Sequence, residues 1–138
     1  PKNLINIYKM KYKREQMKKL KLPKNRTLNL SINGHDYDIR FISGAKADFG
    51  SGDSEILGAI SMRNCEIILE HSMKDSKILE VLCHEVMHAI TYGTSLEMTE
   101  TQVQVVANNL YQLGFGDYLW KKSGGNYDSK LRRNNKES

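Results

Sequence analysis

Two histidines four residues apart, with a glutamate directly after the first, are the residues of this sequence best suited to chemistry. They are His84, Glu85 and His88, in the pattern H-E-x-x-H. On a helix, residues four apart share a face with Cβ atoms about 5–6 Å apart. Both imidazoles can therefore bind one metal ion, at Zn–N distances of roughly 2.0–2.1 Å. Glu85 lies over the same site, where its carboxylate can take a proton from an attacking water molecule and pass it to a leaving amine.

The segment around the motif has the pattern of a helix that is buried on most of its circumference. Apolar residues surround the three polar ones, at positions 78, 79, 81, 82, 83, 86, 87, 89 and 90. We expect Ser72 or Asp75 to cap the start of this helix and Gly93 to follow its last turn. Because burying two imidazoles and a carboxylate without a partner is costly, a Zn²⁺ site explains these residues better than an ordinary surface helix does.

Two histidines leave a zinc ion short of one protein ligand, because catalytic zinc sites usually have three protein ligands and a water molecule. In the extended metzincin pattern a third histidine stands six residues after His88, but that position is Thr94. The remaining histidines, His35 and His71, lie upstream. We interpret them as a turn residue and a residue at the end of a strand. An acidic third ligand from the following segment is therefore expected.

The helix after the motif supplies two acidic candidates. Thr99 and Gln102 fit a capping box, which predicts a helix over about 100–113. Glu97 precedes this helix, and Glu100 stands at its first position, where the helix macrodipole favours a carboxylate. An apolar stripe on the same helix allows it to pack against the motif helix with Glu100 directed at the metal. Both glutamates are candidate ligands, and Glu100 is favoured.

The chain before the motif predicts the strands that position this helix. Apolar and polar residues alternate over 28–32 and 37–41, on the two sides of an Asn-Gly pair at 33–34 that is typical of a type I′ hairpin turn. A second strand pair is predicted at about 56–62 and 65–70, with 56–62 as the candidate edge strand for a bound peptide. The predicted fold class is α+β, a small, mainly antiparallel sheet packed on the motif helix, with the following helix crossing it.

The net charge of +5 is unevenly distributed along the 138 residues. Residues 9–26 carry nine Lys or Arg and one acidic residue, and residues 121–138 carry six and two. Residues 27–120 carry five basic residues and thirteen acidic ones. An acidic body with basic ends predicts weak, sequence-tolerant contact between these ends and nucleic acid or another polyanion.

The composition indicates neither export nor a membrane. No apolar run approaches 18 residues and no signal-peptide pattern is present, which predicts no membrane span. Cys65 and Cys83 are too few for a disulfide framework, and Cys83 is expected to be a small core residue rather than a ligand. We expect a cytoplasmic protein, and no oligomeric state follows from the sequence.

The sequence resembles the small HExxH zinc metallopeptidase-like proteins of bacteria and their phages, gluzincin-type proteins related to the ImmA/IrrE metallopeptidases. The resemblance covers about residues 22–113 and rests on the hairpin and on segments 57–60, 66–69, 82–90, 99–100 and 109–112. It implies a zincin-like fold in which His84, His88 and Glu100 bind Zn²⁺ and Glu85 is the catalytic base. It also implies the cytoplasm of a bacterium or of a phage-infected host cell.

The charge pattern and the resemblance together predict three parts. A basic N-terminal arm covers 1–26 and is expected to be helical over 3–20. A zincin-like metallopeptidase domain covers 27–120, and a basic, mobile C-terminal tail covers 121–138. The body and the ends are thus expected to have separate roles.

Two functions are predicted from these features. The first is a zinc-dependent peptidase that cleaves a peptide or protein substrate with Glu85 as general base. Tyr92, four residues after His88, is a candidate for stabilising the oxyanion, with a packing role as the alternative. The second is a zinc-stabilised interaction protein that binds nucleic acid or an acidic protein partner through its basic ends.

Overall fold

The computed structural model describes residues 18–43 and 57–131, and within them the chain forms six strands and three helices. In chain order these are β1 (Lys18–Lys21), β2 (Leu28–Ile32), β3 (His35–Ile42), β4 (Gly58–Ser61), β5 (Glu66–Glu70), α1 (Asp75–Thr91), α2 (Glu100–Gln112), α3 (Phe115–Lys122) and β6 (Asn126–Leu131). The chain divides into two compact units. One is Leu22–Gly125, and the other combines Pro1–Lys21 with Asn126–Ser138. The predicted α+β class is confirmed.

The larger unit contains a four-stranded mixed sheet with the order β2-β3-β5-β4. The β2–β3 and β4–β5 pairings are antiparallel, and the β3–β5 pairing is parallel. Alternating residues of β2 and β3 are buried, as expected of strands with one face on a core. Two of the three pairings are thus antiparallel, and β4 is an edge strand among the described residues, both as predicted.

The β2–β3 hairpin is connected by the predicted type I′ turn. Asn33 and Gly34 have φ values of 52° and 79°, which this turn requires and which Asn and Gly adopt most readily. The Asn33 side-chain amide donates hydrogen bonds to the carbonyls of Ala89, at 3.2 Å, and Ile90, at 2.8 Å. Because the last carbonyls of a helix have no partner within it, this turn satisfies two of them and ties the hairpin to the end of α1.

Helix α1 carries the HExxH motif and is the most buried helix of the larger unit. Its buried residues are Ile78, Leu79, Leu82, Cys83, Glu85, Val86, Met87 and Ala89. The prediction that Ser72 or Asp75 caps its start is wrong, because Lys74 holds the N-cap position without a side-chain cap. The Ser72 hydroxyl donates to the Glu70 carboxylate instead, at 2.9 Å. Gly93 follows the helix at φ 72°, as predicted.

Helices α2 and α3 cover α1 from one side. The predicted capping box of Thr99 and Gln102 is present at the start of α2. Val103 and Ala107 of α2 are fully buried in a core that they share with two residues of α1, Cys83 and Met87. Helix α3 follows α2, and its Trp120 is completely buried. No helix among residues 18–43 and 57–131 is long and apolar enough to cross a membrane.

The smaller unit contains an antiparallel ribbon made of the two ends of the chain. In it β1 pairs with β6, with Leu20 opposite Tyr127 and Lys21 opposite Asn126. The predicted helix over 3–20 is wrong at its end, where Lys18–Lys21 form a strand, and its residues before 18 lie outside the described part of the chain. The predicted mobile tail is wrong at Asn126–Leu131, which form β6.

Both errors have one physical cause. Leu20 alternates with Lys19 and Lys21, a period of two that suits a strand, but a strand also needs a partner. That partner is more than a hundred residues away in the sequence, so local patterns do not reveal it. The boundaries of the three predicted parts stay a prediction.

Candidate metal centre

The middle of α1 presents both motif histidines on one face. Their ring centroids lie 4.9 Å apart with an angle of 68° between the ring planes. The two Nε2 atoms approach to 3.2 Å. The helical spacing of four residues thus produces the convergence that the motif predicts, with the same nitrogen of each ring directed at one point.

Glu100, the first residue of α2, brings its carboxylate to this point. Oε1 lies 2.6 Å from Nε2 of His84, and Oε2 lies 3.0 Å from Nε2 of His88. The capping box fixes where α2 begins, and packing of α2 on α1 fixes its position. Glu97, the alternative candidate, lies in the exposed loop before α2 and is not in this group.

His84, His88 and Glu100 together form a group that could hold a metal ion, with ligand atoms all within 4.8 Å of one another. Two imidazole nitrogens and a carboxylate oxygen are a donor set that suits several divalent metals, zinc among them. The His84 side chain is 13% exposed and that of Glu100 is 70% exposed, so the site opens to solvent on the α2 side. Nδ1 of His84 is buried without a hydrogen-bond partner. The polar contacts of that ring within the described residues are therefore made through Nε2, on the side of the candidate metal position. The residues present fit a metal ion.

Glu85 is the buried carboxyl group beside these three residues. It is only 6% exposed, and burial raises its pKa to about 7, while His84 lowers the pKa and Glu100 raises it. Burial has this effect because the charged form loses its hydration. A carboxyl group that titrates near neutral pH can both accept and return a proton there, which is what a general base needs.

The edge strand β4 lies directly against Glu85. An added Cβ on Gly58 would lie 2.5 Å from Cγ1 of Val81 and 3.5 Å from Cγ of Glu85. The absence of a side chain at position 58 therefore allows β4 to approach this part of α1 closely. Neither Gly58 nor Asn33 was identified as a site-supporting residue from the sequence. The signal for Asn33 was its turn, which does not show what the side chain contacts.

The other chemically interesting residues are not members of this His84, His88 and Glu100 group. His35 is an exposed residue at the start of β3, and His71 is exposed in the turn after β5, in agreement with their interpretation as turn and boundary residues. Tyr92 is the C-cap of α1 and is 61% exposed. Cys83 is 1% exposed, and burial raises its pKa to about 12, consistent with the predicted core role.

Comparisons with protein-family models, with characterised proteins and with solved structures give no match to this chain. The resemblance to the ImmA/IrrE-related proteins therefore stays a prediction based on sequence segments. Any functional conclusion rests on the geometry of the site.

Proposed function

We propose that the protein is a zinc-dependent peptidase with a zincin-like fold, related to the ImmA/IrrE metallopeptidases. The observation that carries this proposal is the position of the Glu100 carboxylate, whose two oxygens meet Nε2 of His84 and of His88. The buried carboxyl group of Glu85 follows His84 on the same helix. This arrangement combines three ligands with a separate acid–base group.

The donor set favours zinc and an open coordination position. Two imidazoles and a carboxylate are the ligands of known catalytic zinc sites, which keep a further position free. Among the described residues the group has three members, whereas structural zinc sites are closed by four protein ligands. When bound there, Zn²⁺ would supply Lewis-acid chemistry by polarising a carbonyl oxygen and acidifying a water molecule.

Glu85 has the properties of the general base in such a reaction. In the metal-free protein, burial raises its pKa to about 7, and a nearby zinc ion would lower that pKa because it favours the charged carboxylate. Glu85 takes a proton from the attacking water molecule and returns it to the nitrogen of the leaving amine. His84, His88 and Glu100 supply three ligands without Glu85, so the Glu85 carboxyl group is available for proton transfer.

Strand β4 is the proposed binding edge for the substrate. It is an edge of the sheet within the described part of the chain, and an extended peptide can add to such an edge through main-chain hydrogen bonds. Gly58 of β4 lies against the side chain of Glu85, so a peptide paired to β4 would pass close to the catalytic base. This arrangement fits an extended peptide or protein segment as the substrate class.

The proposal is tested by measuring zinc binding and peptide cleavage on the same set of proteins. The metal-free protein is titrated with Zn²⁺ and then incubated with a mixed library of synthetic peptides, and new termini are identified by mass spectrometry. We expect one zinc equivalent and zinc-dependent cleavage. His88→Ala should lose both, and Glu85→Gln should keep zinc and lose cleavage.

Three results would contradict the proposal. If Glu85→Gln also lost the zinc, Glu85 would be a ligand rather than the base. Cleavage that persists in Glu85→Gln would place the reaction elsewhere. Zinc binding without cleavage of any peptide would favour the alternative function, a zinc-stabilised interaction protein.

A further inference from the structure

The β1–β6 ribbon joins the two basic ends of the chain in one structural unit. Pro1–Lys21 and Asn126–Ser138 together carry twelve Lys and Arg and three Asp and Glu, a net charge of +9. The larger unit, Leu22–Gly125, carries nine and thirteen, a net charge of −4. Charge of opposite sign is thus separated between the two units, and the basic charge is concentrated in the smaller one.

The described part of the ribbon exposes lysines and buries its apolar residue. Lys19 and Lys21 of β1 are exposed, and Leu20 between them is only 3% exposed. Both lysines flank Leu20 directly along β1. Pairing with β6 places Leu20 opposite Tyr127 and Lys21 opposite Asn126, with an irregularity in the register between Lys18 and Leu20.

We infer that the β1–β6 ribbon, Lys18–Lys21 with Asn126–Leu131, binds the phosphate backbone of nucleic acid without sequence preference, as a function separate from the metal centre. Its ten residues carry four lysines and one aspartate, within a unit whose sequence has a net charge of +9, and such a basic balance is typical of phosphate-binding segments. A two-stranded ribbon is also narrow enough to lie in the major groove of a duplex.

The observations favour nucleic acid over a membrane surface. Proteins that lie in a lipid interface insert large apolar side chains below the headgroups. The exposed large apolar residues of the described chain are Ile90, Tyr92, Leu96, Val105, Leu113, Phe115 and Tyr118, and all belong to the larger unit. Among the ribbon residues whose side chains are described, Lys19 and Lys21 are exposed whereas Leu20 and Tyr127 are not, which suits phosphates in water.

The inference predicts a steep dependence of affinity on salt. Each phosphate neutralised by Lys or Arg releases counterions. A plot of the logarithm of the binding constant against the logarithm of salt concentration therefore has a slope of about −0.9 for each phosphate contact. With four to six contacts, affinity should fall roughly 10²- to 10³-fold between about 50 mM and about 200 mM salt. Sequence changes in the nucleic acid should have little effect.

The test uses the zinc-treated 138-residue chain and fluorescent oligonucleotides of mixed sequence. Fluorescence anisotropy is measured over a range of salt with duplex DNA, duplex RNA and single-stranded DNA, so that the preferred source of the phosphates is identified. The ribbon variant is Lys19→Gln with Lys21→Gln. The matched control is Lys74→Gln with Lys122→Gln, which removes the same charge from exposed positions of the larger unit.

We expect the ribbon variant to bind at low salt more weakly than the unchanged protein, with a salt slope smaller by about 1 for each lysine that contacts a phosphate. The control variant and His88→Ala should bind as the unchanged protein does. Thermal unfolding of the ribbon variant should match that of the control. These results would assign the binding to the ribbon and separate it from the metal centre.

Several outcomes would overturn the inference. One is the absence of binding to every oligonucleotide at low salt, and another is an equal loss in the ribbon and control variants. Tighter binding to anionic lipid vesicles or to a polyglutamate peptide than to any oligonucleotide would assign the charge to a different partner. Salt-sensitive self-association that the ribbon variant abolishes would assign it to the acidic unit of a second copy.

Discussion

Two glutamates lie in one small site, and their surroundings differ. Glu100 is 70% exposed and its carboxylate oxygens meet both histidine Nε2 atoms, a position that suits a metal ligand. Glu85 is 6% exposed, and burial raises its pKa to about 7, which suits proton transfer. The different roles proposed for the two glutamates, metal ligand and proton-transfer group, thus follow from their different burial. Burial has the same effect in other sites where two carboxyl groups act differently.

The first prediction separates the two candidate ligands. Glu100→Gln removes the charged group that contacts both histidines, and we expect zinc affinity to fall by a factor on the order of 100 or more. Glu97→Gln is the matched control, because it removes the same charge from the exposed loop before α2, and its effect should stay small. Competition with a chromophoric chelator measures both affinities. Equal losses in the two variants would contradict the assignment of Glu100.

The second prediction concerns the metal-free protein and pH. The Glu85 carboxyl has a pKa of about 7 in the folded chain against 4.5 for an ordinary Glu. Between these values the unfolded chain loses a proton that the folded chain keeps, so the free energy of unfolding falls as pH rises through this window. The fall attributable to Glu85 is on the order of 3 kcal/mol.

Glu85→Gln isolates this contribution, because its amide does not titrate. Urea unfolding of both metal-free proteins from about pH 4.5 to about pH 7.5 should show their stability difference changing by that amount in favour of the variant. Titrating groups that do not interact with Glu85 are common to both proteins and cancel in the difference. A difference that does not change with pH would contradict a raised pKa for Glu85.

At the scale of elements, the site is held by contacts that reach α1 from three directions. The β2–β3 turn binds the carbonyls at its end, β4 lies against its middle, and α2 packs on its buried face. The histidines sit between these contacts. The precision of the site therefore depends on residues that never touch a metal ion.

The third prediction concerns the turn residue Asn33. Asn33→Gly keeps a residue that adopts positive φ and removes the two hydrogen bonds to Ala89 and Ile90, so it should lower the free energy of unfolding by about 1 kcal/mol. Asn33→Asp should lower it further, because it places a negative charge at the negative end of the α1 dipole. Urea unfolding measures both. An Asp variant as stable as the original would show that this cap is unimportant.

The fourth prediction concerns the contact between β4 and α1. Gly58→Ala would place a methyl group 2.5 Å from Cγ1 of Val81 and 3.1 Å from Cδ2 of Leu69, and such overpacking should lower the free energy of unfolding by about 1–3 kcal/mol. Val81→Ala removes the nearer of these atoms. The double variant should therefore be less destabilised than the sum of the two single ones, and strictly additive effects in a double-mutant cycle would contradict this contact.

Most of the larger unit could be predicted because its signals are local. Asn33 and Gly34 mark their turn by the φ values they tolerate, and Thr99 and Gln102 mark the start of α2 by bonding each other's backbone. The spacing of the motif makes the histidines converge without reference to the rest of the chain. A local signal also favours Glu100 as the third ligand. The capping box makes Glu100 the first residue of α2, where the helix macrodipole favours a carboxylate.

What could not be predicted depends on partners distant in the sequence. The parallel pairing of β3 with β5 has no signal in the local sequence. Each strand would show the same apolar pattern if it were paired with a different neighbour in the sheet. The β1–β6 ribbon joins segments about a hundred residues apart. The cap at Ser72 was predicted wrongly because a serine before a helix can bond a nearby carboxylate equally well, and here it bonds Glu70.

At the scale of the whole molecule, the chain combines an acidic unit that holds the candidate metal centre with a basic unit built from its two ends. Charge of this kind governs encounter with partners rather than the fold. The basic unit depends on a single strand pair among the described residues, whereas the sheet of the acidic unit has four strands. The two units should therefore differ in local stability.

The fifth prediction follows from that difference, and hydrogen–deuterium exchange of the 138-residue chain tests it. A two-stranded ribbon is marginally stable, so backbone amides of β1 and β6 should exchange faster than those of β3, β5 and α1, which belong to the main core. On the proposed function, zinc would bind the His84, His88 and Glu100 group of the folded larger unit and stabilise that unit by mass action. It should slow exchange in α1 and at the start of α2 and leave β1 and β6 unchanged.

A nucleic-acid duplex at low salt should produce the opposite pattern, with slower exchange in β1 and β6 and no change in α1. His88→Ala provides the matched control, since it should abolish the protection by zinc and keep the protection by the duplex. If zinc protected β1 and β6 as strongly as α1, the two units would unfold together. Zinc binding and the stability of the ribbon would then be coupled, and the metal centre and the ribbon could not be treated as two independent functional sites.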